Sequence, residues 1–409
     1  MRRSALFLVV VLLAARLHSQ TIEKIPPPGG PFAIGRIGYD WVDQSRPDRY
    51  AKERTAHREL MVYFWYPAVK SGSAARAPYL PGARQFDGVP EIQAGMRRGF
   101  GEDWTAILSG SLRTHAVENA PVAKAAKPFP VVIFSHGAGN TGFNYSALIE
   151  DVVSHGYVVA AIEHTYAAGA VWFPDGRVVR PSDEKPPAGL SSEELRKWRN
   201  ARIADGIDEG AADVRFVLDH MIELDRDPDR FLLAGRVDLK RVAPMGHSAG
   251  AEFSARACQL DSRFKACVDL DGGMVPVAAL PVSTDGATMK VPLLLLEVYH
   301  AESTMGGLSR ETIDGYYKTR EEQLRACPLG TYAVVLNSAG IAHPSFSDRP
   351  LHFAGQPEYP QRSAALHHLA LIQSFVRDFL ARNLKDEKAP LLDAGSSPLP
   401  ESTVQTYGR

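Results

Sequence analysis

Gly246-His247-Ser248-Ala249-Gly250 has the form G-x-S-x-G. This spacing suits a sharp strand-to-helix turn that lifts the serine hydroxyl clear of a sheet. Small residues at 246 and 250 let strand and helix approach each other. The helix N-terminus adds positive potential beneath the hydroxyl. A serine hydroxyl is a poor nucleophile until a base removes its proton. The chemistry such a turn supports is acyl transfer, which also needs an orienting acid and donors for the developing oxyanion.

Where this turn is found, the chain order is Ser, then Asp or Glu, then His. The apolar run Val334-Val335-Leu336 reads as the last strand of that order, and His343 follows its loop. His343 is therefore the expected base. His136, His164 and His247 precede or adjoin Ser248, so order argues against each. His367 and His368 fall inside the closing helix and read as structural. For the acid, Asp269, Asp271, Glu297 and Glu302 all lie within reach by order. Asp269 and Asp271 share one face of a strand. Asp271 is further out, before Gly272-Gly273, and functional groups gather where strands end, which favours Asp271. Oxyanion donors are expected from the backbone N–H groups of Ala249 and of Ala138, the latter in Ser135-His136-Gly137-Ala138-Gly139. Gly137 lets that loop approach the substrate.

These residues need elements to hold them. Leu60 to Tyr66 reads as a strand dense in aromatic and β-branched residues. Val131-Val132-Ile133-Phe134 and Tyr157 to Ile162 are wholly apolar, as strands buried on both faces are. Later strand-like runs lie at 241–245, 266–270, 292–299 and 331–336. Helical patterns fall at about 143–155, 205–224, 248–259, 313–326 and 363–384. In the last, Leu366, Leu369, Ile372, Phe375, Val376, Phe379 and Leu380 form one apolar stripe, expected to pack on the core. Within a polar insertion at about 165–204, Ser191 and Glu194 have capping-box spacing for a short helix. Residues 20–57 read as an irregular lead-in and 386–409 as a loose tail. Strands alternating with helices predict an α/β protein. With the serine turn, this is the α/β-hydrolase fold: a mostly parallel central sheet, helices on both faces, and one catalytic domain over 20–385.

The chain has 409 residues, 45% hydrophobic and 23% charged, with a net charge of −1. That composition supports a sizeable core and supplies no basic field for nucleic acid. Arg2 and Arg3 precede an apolar run from Ala5 to Ala15, too short to span a bilayer. Residues 1–19 therefore read as a secretory signal peptide, an uncleaved anchor being the alternative. Cys258, Cys267 and Cys327 are an odd set; the first two are spaced so that they could bridge. Neither C-x-x-C, H-E-x-x-H nor a calcium loop is present, so no metal or cofactor is expected.

The stretch FPVVIFSHGAGNTGFNYSALIEDVVSHGYVVAAIEHTY, with MGHSAGA, DSRFKACVDLDGG and AHPSFSD, resembles the plasma-type platelet-activating factor acetylhydrolases, also called lipoprotein-associated phospholipases. The similarity extends from about residue 24 to 384. It implies Ser248 as nucleophile, Asp271 as acid, His343 as base, and Ala138 and Ala249 as oxyanion-hole positions. It also implies calcium-independent hydrolysis of short or oxidised sn-2 acyl groups of phospholipids. The animal enzymes carry bulkier apolar residues where this chain has Ala138 and Ala249, which changes the acyl-pocket wall. No counterpart of their lipoprotein-binding surface helices is recognisable. The expected partner is a small or lipid ester. A general carboxylesterase or polyester hydrolase is the alternative enzyme. A catalytically inactive binding protein is the third reading, opposed by the complete residue set.

Overall fold

The computed structural model describes residues 23–51, 53, 55–72, 74–272, 288–298, 310–395 and 399–408. Residues 1–19, read above as a signal peptide, and Glu302 lie outside the described residues. In chain order the elements are β1 (Ala33–Pro47), β2 (His57–Ala68), α1 (Pro90–Phe100), α2 (Trp104–Leu108), β3 (Ala116–Glu118), β4 (Phe129–Ser135), α3 (Ser146–Ser154) and β5 (Val158–Glu163). A two-stranded ribbon, β6 (Val171–Trp172) with β7 (Val178–Val179), precedes α4 (Ser192–Leu224). Then come β8 (Val237–His247), α5 (Ala249–Leu260), β9 (Cys267–Leu270), β10 (Leu293–Val298), α6 (Arg310–Ala326) and β11 (Thr331–Leu336). The chain closes with α7 (Arg349–His352), α8 (Arg362–Lys385), α9 (Pro390–Asp393) and β12 (Ser402–Tyr407).

Ten strands form one sheet in the order β12-β11-β10-β9-β8-β4-β5-β2-β1-β3. The six from β11 to β5 are parallel throughout. Antiparallel pairings occur toward the two edges, β12 on β11 and β1-β2-β5. Successive side chains alternate between two cores, as a pleated strand requires. Val132 and Phe134 face α3 and α8, while Val131 and Ile133 face α4 and α5. Phe375, Val376, Phe379 and Leu380 of α8 are fully buried; each contributes about 1.5–3 kcal/mol on burial. Cys258 of α5 and Cys267 of β9 are paired as a disulfide, and Cys327 is a buried free thiol.

Three expectations are corrected. The lead-in is not irregular over its whole length, because β1 pairs with β2 along most of its fifteen residues. The tail is not loose: β12 pairs with β11 and buries Val404. The capping box at Ser191 opens no short separate helix. It starts α4, one continuous helix of 33 residues, of which the expected 205–224 segment is the buried end.

Candidate active site

β8 brings the chain to the carboxyl edge of the sheet, and α5 leaves it at Ala249. Ser248 makes the turn between them with φ 55° and ψ −126°, a left-handed conformation that costs a non-glycine residue free energy and collects at functional sites. Its N–H is held by the Leu270 carbonyl at 3.1 Å. The flanking glycines are steric necessities. A Cβ at Gly246 would lie 2.1 Å from the Gly250 oxygen, and one at Gly250 would lie 2.2 Å from the Ser135 oxygen.

β9 ends at Leu270, and Asp271 follows, also with positive φ, 53°. It is only 1% exposed. Its backbone N–H donates to the Leu296 carbonyl at 2.9 Å, continuing the parallel pairing by one residue. Its Oδ1 accepts from the Val298 N–H at 3.1 Å. Its Oδ2 lies 2.6 Å from His343 Nδ1, the length of a charge-assisted bond. The His343 side chain, 34% exposed, opens the short turn His343–Phe346 after β11. A base oriented in this way by a carboxylate is what an adjoining serine needs for activation.

The other acid candidates are engaged elsewhere. Asp269 accepts from the Gly272 N–H at 2.8 Å. Burial, with the neighbouring Glu252, Asp271 and Glu297 carboxylates, pushes it up to about 7. Glu297 pairs with Arg320. Among the histidines, His367 pairs with Glu401, His368 meets the Ala339 carbonyl, and His352 is turned to Asp103. Burial pushes His136 and His247 down to about 3, so both stay neutral.

The loop after β4 stands against the serine. A Cβ at Gly137 would be 3.2 Å from Ser248 Cβ. Gly139 N–H donates to the Ala167 carbonyl at 2.9 Å, and Gly169 N–H to that of Asn140 at 3.0 Å. The start of the 165–204 insertion thus braces the loop that carries Ala138. Two features escaped the sequence reading. Tyr145 takes the Gly137 N–H on its hydroxyl at 3.0 Å. A hydrogen-bonded Ser–His–Asp run that does not include Ser248 also exists, Ser135 Oγ to His164 Nε2 and His164 Nδ1 to Asp213 Oδ2, both 3.0 Å. None of those three residues is more than 1% exposed, and Arg58 neutralises Asp213, so the run braces strand ends and meets no substrate. Among the described residues, no group of three or more His, Cys, Asp or Glu side chains could hold a metal.

The sheet order and the serine turn between β8 and α5 define an α/β-hydrolase fold. A solved structure of similar shape is a ferulic acid esterase from Streptomyces cinnamoneus, with TM-score 0.67, 29% identity, and coverage of 93% of this chain and 98% of that one. The model of the platelet-activating factor acetylhydrolase, isoform II family matches residues 17–354, and the chain belongs to that family. A platelet-activating factor acetylhydrolase of Cavia porcellus is 25% identical over 73% of this chain and 65% of its own length. That of Canis lupus familiaris is 30% identical over 66% and 59%. A probable 1-alkyl-2-acetylglycerophosphocholine esterase of Arthroderma benhamiae is 24% identical over 65% and 64%. The matches thus span between 59% and 65% of these relatives' own lengths.

Proposed function

We propose that the chain is a serine carboxylic ester hydrolase acting on short-acyl esters, with 1-alkyl-2-acetylglycerophosphocholine-type phospholipids as the favoured substrates. The observation that carries this reading is the 2.6 Å contact of Asp271 with His343 beside the strained turn at Ser248. In the proposed cycle, Ser248 Oγ attacks the ester carbonyl as His343 takes its proton. The Ala138 and Ala249 N–H groups receive the oxyanion. Collapse of the intermediate breaks the ester C–O bond, and His343 returns the proton to the departing alcohol. Water then attacks the acyl-enzyme with His343 again as base, releasing the acid and restoring Ser248.

The family and the relatives' names support the phospholipid class. The esterase of similar shape favours the second reading, a general esterase on the same scaffold. A panel of sn-2 acetyl, butyryl and palmitoyl phosphatidylcholines and simple aryl esters, each with and without EDTA, separates the two. The expected result is a graded preference for short sn-2 acyl groups that survives EDTA. A hydrophobic pocket gains about 1–3 kcal/mol per methylene at most, and small Ala138 and Ala249 leave room for acyl groups somewhat longer than acetyl. A preference for palmitoyl, or loss in EDTA, would overturn the proposal. Activity on simple esters alone would promote the second reading.

Export is part of the proposal. The Arg2-Arg3 start and short apolar run support it, and the Cys258–Cys267 pairing suits an oxidising compartment. The native protein should begin near Gln20; recovery of chains beginning at Met1 would count against cleavage.

A further inference from the structure

Tyr145 ends the short turn Gly142–Tyr145 and is completely buried. Its hydroxyl accepts from the Gly137 N–H at 3.0 Å and from the Asn140 Nδ2–H at 3.1 Å, both in the loop that carries Ala138. Two donors fill the oxygen's accepting capacity, so its single proton goes to its third partner, His247 Nδ1, at 2.8 Å. That assigns the tautomer of His247: Nδ1 accepts and Nε2 carries the proton. The acceptor facing Nε2 is the backbone carbonyl of His343, 3.2 Å away. The His247 ring also lies 4.5 Å from the His343 ring and stacks on Phe346. One chain of hydrogen bonds therefore runs from the loop after β4, through two buried side chains, to the main chain of His343.

We infer that Tyr145 and His247 are positioning residues that tie the Gly137–Ala138 loop to the backbone of His343, holding oxyanion donors and base in one register about Ser248. The inference rests on the proposed serine-hydrolase reading. Neither residue meets substrate, since His247 is 3% exposed and Tyr145 not at all. Packing alone would not need the hydroxyl: a phenylalanine at 145 keeps the ring contact with Phe134. The two ends of the chain lie on segments far apart in sequence, so removing a link frees the donors to drift relative to the base. A misplacement of about 1 Å can cost on the order of 100-fold in rate.

The test is steady-state kinetics on p-nitrophenyl acetate with the full chain. Tyr145→Phe should lower kcat by roughly 10–100-fold and leave KM within about threefold, since uniform binding is untouched. Tyr66→Phe is the control for losing a buried hydroxyl. Its bond to the Ala120 carbonyl, 2.7 Å, lies away from the site, so kcat should hold even if stability falls. His247→Gln can present an amide N–H near the Nε2 position, whereas the shorter Asn amide reaches only the Nδ1 position and leaves the His343 carbonyl without its donor. The Gln variant should retain more turnover than the Asn variant. The inference is overturned if Tyr145→Phe keeps kcat within about twofold, if Tyr66→Phe loses as much, or if Asn matches or exceeds Gln. Ser248→Ala separates the two levels. If that variant is inactive while Tyr145→Phe is fully active, the inference fails alone. If Ser248→Ala keeps wild-type turnover, the serine reading fails and takes the inference with it.

Discussion

Asp271 divides its carboxylate between two tasks. Oδ1 takes the Val298 N–H, which fixes the side chain against β10, and Oδ2 takes His343 Nδ1. The first bond sets the direction of the second, so the imidazole has one orientation and one tautomer. Asp271→Asn replaces an acceptor-only group with one that can present N–H to the ring, which favours the wrong tautomer. By analogy with the serine-protease case, turnover should fall by roughly 10⁴-fold with the fold intact. Glu297→Gln should cost far less, because that carboxylate is committed to Arg320. Circular dichroism and kcat/KM on one ester check both variants. If Glu297→Gln proved the more damaging, the orienting acid would move to β10. The pairing of Asp271 with His343 was legible in the sequence only in part. Asp269 lies two residues back on the same face, and nothing in their spacing shows that Asp269 bonds back to Gly272. That bond depends on the positive-φ turn at Asp271, which a string of residue types does not display.

At the level of elements, the central parallel strands were legible because each is a short run buried on both faces, and such runs stand out. The edge elements were not. β1 contains Gly35 and Gly38, which read as loop residues. In the sheet they make room for aromatic rings: a Cβ at Gly35 would lie 2.3 Å from the Tyr66 ring, and one at Gly38 2.6 Å from that of Tyr63. β1 also buries Arg36, paired with Glu118 and donating to the Pro78 carbonyl, where a charge pattern would suggest solvent. β12 has one buried apolar residue, Val404, and owes its place to pairing with β11. α4 reads as two pieces in the sequence because only its second half carries core residues, from Ile207 to Leu224. The first half has no apolar stripe against the core. It continues as helix from the reciprocal Ser191–Glu194 cap, with Lys197 and Glu193 paired on its surface. Long-range contact, not local pattern, decides each of these, while the loops of the candidate site stand out in the sequence because the chemistry proposed for them restricts residue type.

Across the whole molecule, the buried ionisable groups set how stability depends on pH. Burial pushes Glu163 up to about 8, against the favourable N–H of Gly142. It also pushes Asp348 up to about 8, despite the bonds from Tyr79 and Ala147. Each therefore keeps its proton in the fold at a pH where the unfolded chain, titrating near 4.5 and 3.8, has lost it. In that window the native state binds more protons than the unfolded one, so stability falls as pH rises, by about 1.4 kcal/mol per group for each pH unit. The buried histidines oppose this lower down. His136 and His247, near 3 in the fold and 6.5 unfolded, make stability rise with pH between those values. Above 6.5 their contribution is complete, and the raised carboxyls set the slope until about 8, with Asp269, pushed up to about 7, adding to it in the lower part of that range. The melting temperature should therefore be higher at pH 6.5 than at pH 8.5. Glu163→Gln keeps the acceptor for the Gly142 N–H and removes the titration, so it should shrink that difference whatever it does to stability at a single pH. Asp348→Asn should shrink it as well, since its raised carboxyl titrates over the same range. Thermal melts of the three proteins at both pH values decide the matter. A variant whose melting point falls between pH 6.5 and 8.5 as steeply as the parent's would show that the replaced carboxyl is already ionised in the native protein at pH 6.5.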